Sequence, residues 1–467
     1  MIDIQDVLQD VPHFETFCSV EKLHGLVERL RDDLRFGVEV AGTSANGVPI
    51  YHVRFGTGRV KALFVAFPHC MEPIGGLTVY SLLTALQKGN RALIGADVEW
   101  HVVPCIDPDG AMLNEGWTQK PFTFENYMRN YYVEECENQV DMSFPISYKK
   151  MSWDRPSREA RVLQRVLDQV QPDFYFSLHN TRTGGAFYYI SRDLDPEYYQ
   201  QIHRLLEQQG VPLQKRAQWK EVLAQFGEGI LETVNYRKFY DYFERIMPEP
   251  EAEDLLQYGQ SSWEYLAQIR PDALSFIAEM GYVLHPDAES EQDTGQNLRR
   301  FKLRMDAENK FLATVLLEEW AKLKDDLDPN SPFYRTVIGG WVLPDKEKLS
   351  EGGLPVSRYP TRDLLFNPEY DRSMTEGDRF NACMVDGGFF YHLFSYQLVR
   401  LLKTSPQTAA VREATQRLEQ VFDEAHAELA RHVDFRAFVT IECDRLARTQ
   451  LGSGLIALNS VLEAQPG

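Results

Sequence analysis

The sequence predicts an α/β fold, a mixed and mostly parallel central sheet flanked by helices, with a largely helical C-terminal addition. Three observations carry this reading. Short apolar runs at 60–67, 98–104, 173–178 and 273–278 alternate with helical stretches, and buried strands separated by helices are what a layered α/β sheet requires. Asn46-Gly47 lies between strand-like segments at 36–42 and 48–55, a hairpin signal because both residues accept positive φ. Residues 407–461 show helix spacing with few breakers before Gly452-Ser453-Gly454.

In chain order, a helical opening over 20–30 precedes the hairpin, and the run 60–67 then reads as a buried strand. Gly75-Gly76 reads as a turn into a helix that includes 77–83. The polar stretch 286–293 leads into a long amphipathic helix ending near Leu323-Lys324-Asp325-Asp326. Asp328-Pro329-Asn330-Ser331-Pro332 follows as a breaker cluster. Residues 333–400 mix Gly, Pro and aromatics irregularly. The expected division is a catalytic domain at 1–325 and the helical addition at 326–467. There is no internal repeat and no low-complexity tract.

Composition narrows the function classes. At 467 residues, 43% hydrophobic and 25% charged, the chain is an ordinary globular sequence long enough for two or three domains. A formal net charge of −20 and a pI near 5.1 repel phosphate backbones, so no nucleic-acid partner is expected. No segment approaches the roughly 18 uninterrupted apolar residues of a membrane helix. The first ten residues carry acids where an export signal needs a basic region. Cys18, Cys70, Cys105, Cys136, Cys383 and Cys443 form no Cys-x-x-Cys pair and read as free thiols of a cytoplasmic protein.

The chemistry concentrates at the ends of the apolar runs. In Phe67-Pro68-His69-Cys70-Met71-Glu72 a histidine and a glutamate stand as a two-point clamp for zinc, in a loop able to aim both at one ion. Cys70 between them should point away and pack. His179 closes the run 173–178 and is a natural third ligand, since ligands of open α/β sheets collect at strand carboxyl ends. Glu279 ends Ser275-Phe276-Ile277-Ala278-Glu279, a place suited to a general base rather than a surface acid.

Seven segments in order resemble the zinc metallocarboxypeptidase family over about residues 15–325. They are Gly42-Thr43-Ser44-Ala45-Asn46-Gly47-Val48-Pro49-Ile50, His69-x-x-Glu72, Asp107-Pro108-Asp109-Gly110, Val140-Asp141, Ser157-Arg158-Glu159-Ala160, Leu178-His179 and Phe276-Ile277-Ala278-Glu279. The resemblance implies a carboxypeptidase-like fold and a Zn2+ ion held by His69, Glu72 and His179, with Glu279 as the base. It further implies that Asp141 orients the first histidine, that Arg129 stabilises the oxyanion, and that Tyr258 caps the substrate. The chain departs from the family after Val140-Asp141-Met142, where Ser143-Phe144-Pro145 replaces the Asn-Arg pair that grips a peptide's terminal carboxylate. Lys149, Lys150, Arg155 and Arg182 are candidates to replace it. The expected activity is amide hydrolysis that removes a C-terminal residue from a peptide. The alternatives are a deacylase resembling aspartoacylase that acts on a small N-acyl amino acid, and a non-catalytic interaction protein. The sequence leaves the oligomeric state open.

Overall fold

The computed structural model describes residues 1–214, 221–246, 258–339, 342–343, 364–365 and 368–464. The chain divides into two compact units. The first takes in Met1–Pro121, Cys136–Val283 and Thr440–Gly467, and the second takes in Phe122–Glu135 and Leu284–Val439. The expected division at 325 falls inside the second unit, whose helix Leu298–Leu323 groups with the segments after it. The last helix, Cys443–Ala464, groups with the N-terminal part of the chain.

The first unit is built on nine strands: β1 (Phe36–Thr43), β2 (Pro49–Phe55), β3 (Val60–Ala66), β4 (Val98–Val103), β7 (Phe174–Leu178), β8 (Phe187–Ile190), β9 (Gln225–Gly227), β10 (Ile230–Glu232) and β11 (Leu274–Glu279). Strands β5 (Ile146–Tyr148) and β6 (Met151–Trp153) form a separate hairpin. The sheet order is β1-β2-β4-β3-β7-β11-β8-β10-β9. Its four central strands, β4, β3, β7 and β11, are parallel, and antiparallel partners flank them. The chain passes from β3 outward to β4 and then returns to β7 on the other side of β3. A topological switch point therefore lies between β3 and β7, and open α/β sheets place ligands outside the strand carboxyl ends at such a point.

Alternation along these strands explains the two-sided core. Leu63, Val65 and Tyr175 pack with Val162, Leu163 and Val166 of the helix Arg158–Val170, which begins at the Ser157 N-cap. Phe64, Phe174, Phe176 and Phe276 form an aromatic cluster from the intervening positions. Each such side chain contributes about 1.5–3 kcal/mol on burial. The last helix runs straight through Gly452-Ser453-Gly454, which the sequence marked as a break. A Cβ at Gly454 would stand 2.2 Å from Phe176 Cε1, so this glycine lets a helix approach a ring closely instead of ending the helix.

The second unit is mainly helical and contains Leu298–Leu323, Glu376–Met384, Gly388–Ser395, Gln397–Thr404 and Ala409–Leu429. Phe380, Phe389, Phe394 and Phe422 are buried in it. Much of the irregular 333–400 stretch lies outside the described residues. All six cysteines carry free thiols. No described helix is long and apolar enough to cross a membrane.

Candidate metal centre

Three adjacent parallel strands bring the predicted ligands together. Val65 pairs with Ser177 across β3 and β7, and Ile277 pairs with Ser177 across β11 and β7. The carboxyl ends of all three strands therefore stand at one level, delivering the loop with His69 and Glu72, then His179, then Glu279. The ligand atoms of His69, Glu72 and His179 all lie within 4.8 Å of one another. The two imidazole rings meet edge to face with centroids 4.9 Å apart.

The backbone explains why β3 releases its loop so abruptly. Phe67 takes a φ of +58°, the left-handed region that a residue with a Cβ rarely occupies. The chain turns there, and a tight turn closes as the Glu72 N–H donates to His69 O at 3.0 Å. The helix Ile74–Lys88 then starts one residue before Gly75-Gly76, so the pair lies inside the helix and not in a turn ahead of it. Close packing is the reason: a Cβ at Gly75 would stand 2.8 Å from Leu178 Cβ, and one at Gly76 would stand 2.9 Å from the Phe67 ring. The Asp107-Pro108-Asp109-Gly110 segment begins another helix, with Asp107 as N-cap. A Cβ at Gly110 would lie 2.5 Å from Cys70 Cβ. Cys70 is thus buried against Gly110, consistent with its expected packing role.

Hydrogen bonds lock the ligands. Asn180 N–H donates to Glu72 Oε2 at 3.0 Å, and Ile74 N–H donates to Asn180 Oδ1 at 3.1 Å. His179 Nδ1 stands 3.1 Å from the same Glu72 oxygen, while His179 Nε2 stands 2.9 Å from Asp141 Oδ2. Asp141 also accepts from Ser177 Oγ at 2.8 Å and from Ser262 N–H at 3.3 Å. Asp141 therefore backs His179 rather than the first histidine, which is the opposite of the expected pairing. His69 instead donates its side-chain hydrogen bond to Gln139. Sequence reasoning passed over Gln139, Ser177 and Asn180, because a Gln, a Ser and an Asn beside a ligand carry no spacing signal of their own.

The electrostatics fit a cation. Burial alone would lower His179, but the Glu72 and Asp141 carboxylates outweigh it and raise the imidazole well above its ordinary value. A position that draws a proton so strongly between two carboxylates favours positive charge. Burial lowers His69, and its Nδ1 is buried with no hydrogen-bond partner. Such an orphan costs about 1–3 kcal/mol unless something takes its lone pair. Two imidazole nitrogens and one carboxylate oxygen are a donor set that zinc takes in sites with three protein ligands. Burial and the Glu72 charge push the Glu279 carboxyl up to about 8, with His179 and Arg182 pulling it down.

The remaining predicted residues lie in other surroundings. Arg129 belongs to the second unit, where it donates to Glu125 at 3.2 Å, Asp423 at 2.7 Å and the Tyr396 hydroxyl at 2.9 Å. Its charge is therefore balanced by carboxylates of its own unit, the consequence of a helix start at Thr123 that sequence spacing alone did not separate from the first unit. Tyr258 is half-buried and packs edge to face on Trp153, with centroids 6.2 Å apart. Lys149 is held by Asp241 and Glu244 at 2.8 and 2.5 Å, and Arg155 stacks 4.6 Å over Trp153. Arg182, three residues beyond His179, is the candidate cation whose charge reaches Glu279.

No protein-family model matches the sequence, and no curated protein matches it. Solved structures similar to it include a candidate metallopeptidase from Shewanella amazonensis, 14% identical, with a TM-score of 0.38, covering 56% of this chain and 84% of that one. A metallo-carboxypeptidase from Pseudomonas aeruginosa is 17% identical with a TM-score of 0.35, covering 56% of this chain and 60% of that one. Carboxypeptidase A from Helicoverpa armigera is 15% identical with a TM-score of 0.33, covering 57% of this chain and 65% of that one. Likeness this distant transfers no residue roles.

Proposed function

We propose that this protein is a zinc-dependent hydrolase that cleaves an amide bond, acting as a carboxypeptidase on the C-terminal residue of a peptide. The observation that supports it above all is the convergence of His69, Glu72 and His179 beside a fourth, uncommitted acid, Glu279. The three converging residues would hold Zn2+, which when bound supplies a Lewis acid for the scissile carbonyl and acidifies water. Asp141, by accepting from His179 Nε2, fixes that ring so its Nδ1 faces the centre. Glu279 takes a proton from the attacking water and returns it to the leaving nitrogen. The positive charge of bound zinc would favour the ionised carboxylate that accepts the proton. Arg182 supplies positive charge for the substrate's carboxylate in place of the absent Asn-Arg pair, a charge-assisted contact worth about 1.5–3 kcal/mol.

The missing pair also favours a second reading, in which the same centre deacylates a small N-acyl amino acid. Incubating the zinc-loaded protein with a peptide library and a set of N-acyl amino acids, followed by mass spectrometry, separates the two. Peptides shortened by one residue support the first reading, and freed amino acids with intact peptides support the second. Glu279→Gln should keep stoichiometric zinc and lose turnover by about 10²–10⁴-fold. Full activity in that variant overturns the role given to Glu279.

A further inference from the structure

The last helix reaches the centre from behind. Its residue Gln450 has no exposed surface. The amide Nε2 donates to the backbone oxygen of His179 at 2.7 Å, and Oε1 accepts from Thr78 Oγ1 at 2.7 Å. The amide orientation is forced, because flipping it would set its oxygen against the His179 carbonyl with no proton between them. Thr78, equally buried, lies on the helix Ile74–Lys88, which begins two residues after Glu72. The first residue of that helix, Ile74, bonds back to Asn180, the neighbour of His179.

These contacts close a circuit. Gln450 joins His179, the next residue Asn180 joins Ile74, Ile74 opens the helix that carries Thr78, and Thr78 returns to Gln450. The circuit surrounds the two chain segments that carry Glu72 and His179, while Asn180 N–H also holds the Glu72 carboxylate. A buried amide spanning two segments costs free energy unless both ends are satisfied, and here both are. Neither end touches His179 Nδ1, the Glu72 carboxylate or Glu279.

We propose that Gln450 is a positioning residue for the metal centre, fixing the backbone of His179 relative to the helix that follows Glu72; this rests on the metal-centre reading above. The last helix is then part of the site's support, although it lies more than a hundred residues beyond Glu279. The test compares the full chain with Gln450→Met, which keeps side-chain length without polar atoms, and Thr78→Val. Zinc affinity is measured by competition with a chromogenic chelator, and metal-free melting by calorimetry. Partners that orient a ligand typically change metal affinity by about 10–100-fold, so Gln450→Met should weaken zinc by at least about 10-fold. Thr78→Val, which frees only the Oε1 end, should weaken it in the same direction by a smaller factor. A Gln450→Met protein that melts lower yet binds zinc as the parent does would reduce Gln450 to a packing residue and overturn the inference. Should Gln450→Met not fold, Thr78→Val decides: weakened zinc supports the inference and unchanged zinc overturns it. A parent that takes up no zinc overturns the metal-centre reading and this inference with it, whereas a binding parent with unaffected variants overturns this inference alone.

Discussion

Replacing Glu279 by Gln should change how the metal-free protein responds to pH, in a direction opposite to that of a salt-bridged carboxylate. Burial and the neighbouring Glu72 raise the Glu279 carboxyl from 4.5 to about 8 in the folded protein. Between those limits the native state holds a proton that the unfolded chain has released, so stability falls as pH rises through the interval. At about 1.36 kcal/mol per pH unit, the loss from this one group reaches roughly 3 kcal/mol by pH 7 and levels off above about pH 8. Glu279 keeps some solvent exposure, which screens the effect and makes that figure an upper bound. Gln does not titrate. Urea unfolding of chelator-treated parent and Glu279→Gln at pH 5, 6, 7 and 8 should give the variant an advantage below about 1 kcal/mol at pH 5 and a growing one above it. Saturating zinc should shrink the difference, because positive charge nearby favours the carboxylate. Parallel stability profiles for the two proteins across this range would refute the reasoning.

Two further outcomes follow from the packing and the hydrogen bonds. Asp141→Asn keeps the shape but removes the charge behind His179, and zinc affinity should fall by about 10–100-fold in the same chelator competition. Gly454→Ala forces a Cβ against the fully buried Phe176 ring. Overpacking of about 1–3 kcal/mol outweighs a helix-propensity gain of about 1 kcal/mol, so a lower urea midpoint is expected, and an unchanged or higher one would show that the ring yields.

The central strands were legible because β3, β4, β7 and β11 are buried on both faces and read as continuous apolar runs. The ligands were legible for a related reason, as polar residues that terminate such runs stand out. The outer strands β8, β9 and β10 have only three or four residues, too few for a period to show. Glycine carries two meanings that sequence alone does not separate. At Gly47, with φ of +83°, it makes a turn, whereas at Gly75 and Gly454 it admits close neighbours inside a helix. The division into units was also hidden, since long-range packing and not local composition sends Phe122–Glu135 to join Leu284–Val439. Arg129 goes with that segment into the second unit, and Asp141 meets His179 where the first histidine was expected, because adjacency along a chain says nothing about which ring a carboxylate meets.

The return of the last helix to the sheet has a consequence for how the protein is made. All three candidate ligands and Glu279 are translated before the second unit's long segment begins, yet Gln450 follows only after roughly 170 more residues, on the order of ten seconds of synthesis. For that interval Phe176 and Tyr188 lack the covering helix that later meets them through Gly454 and Ser453. A nascent chain of this protein should therefore present a sticky aromatic face late into translation, and chaperones that capture apolar surface should release it once the helix has docked.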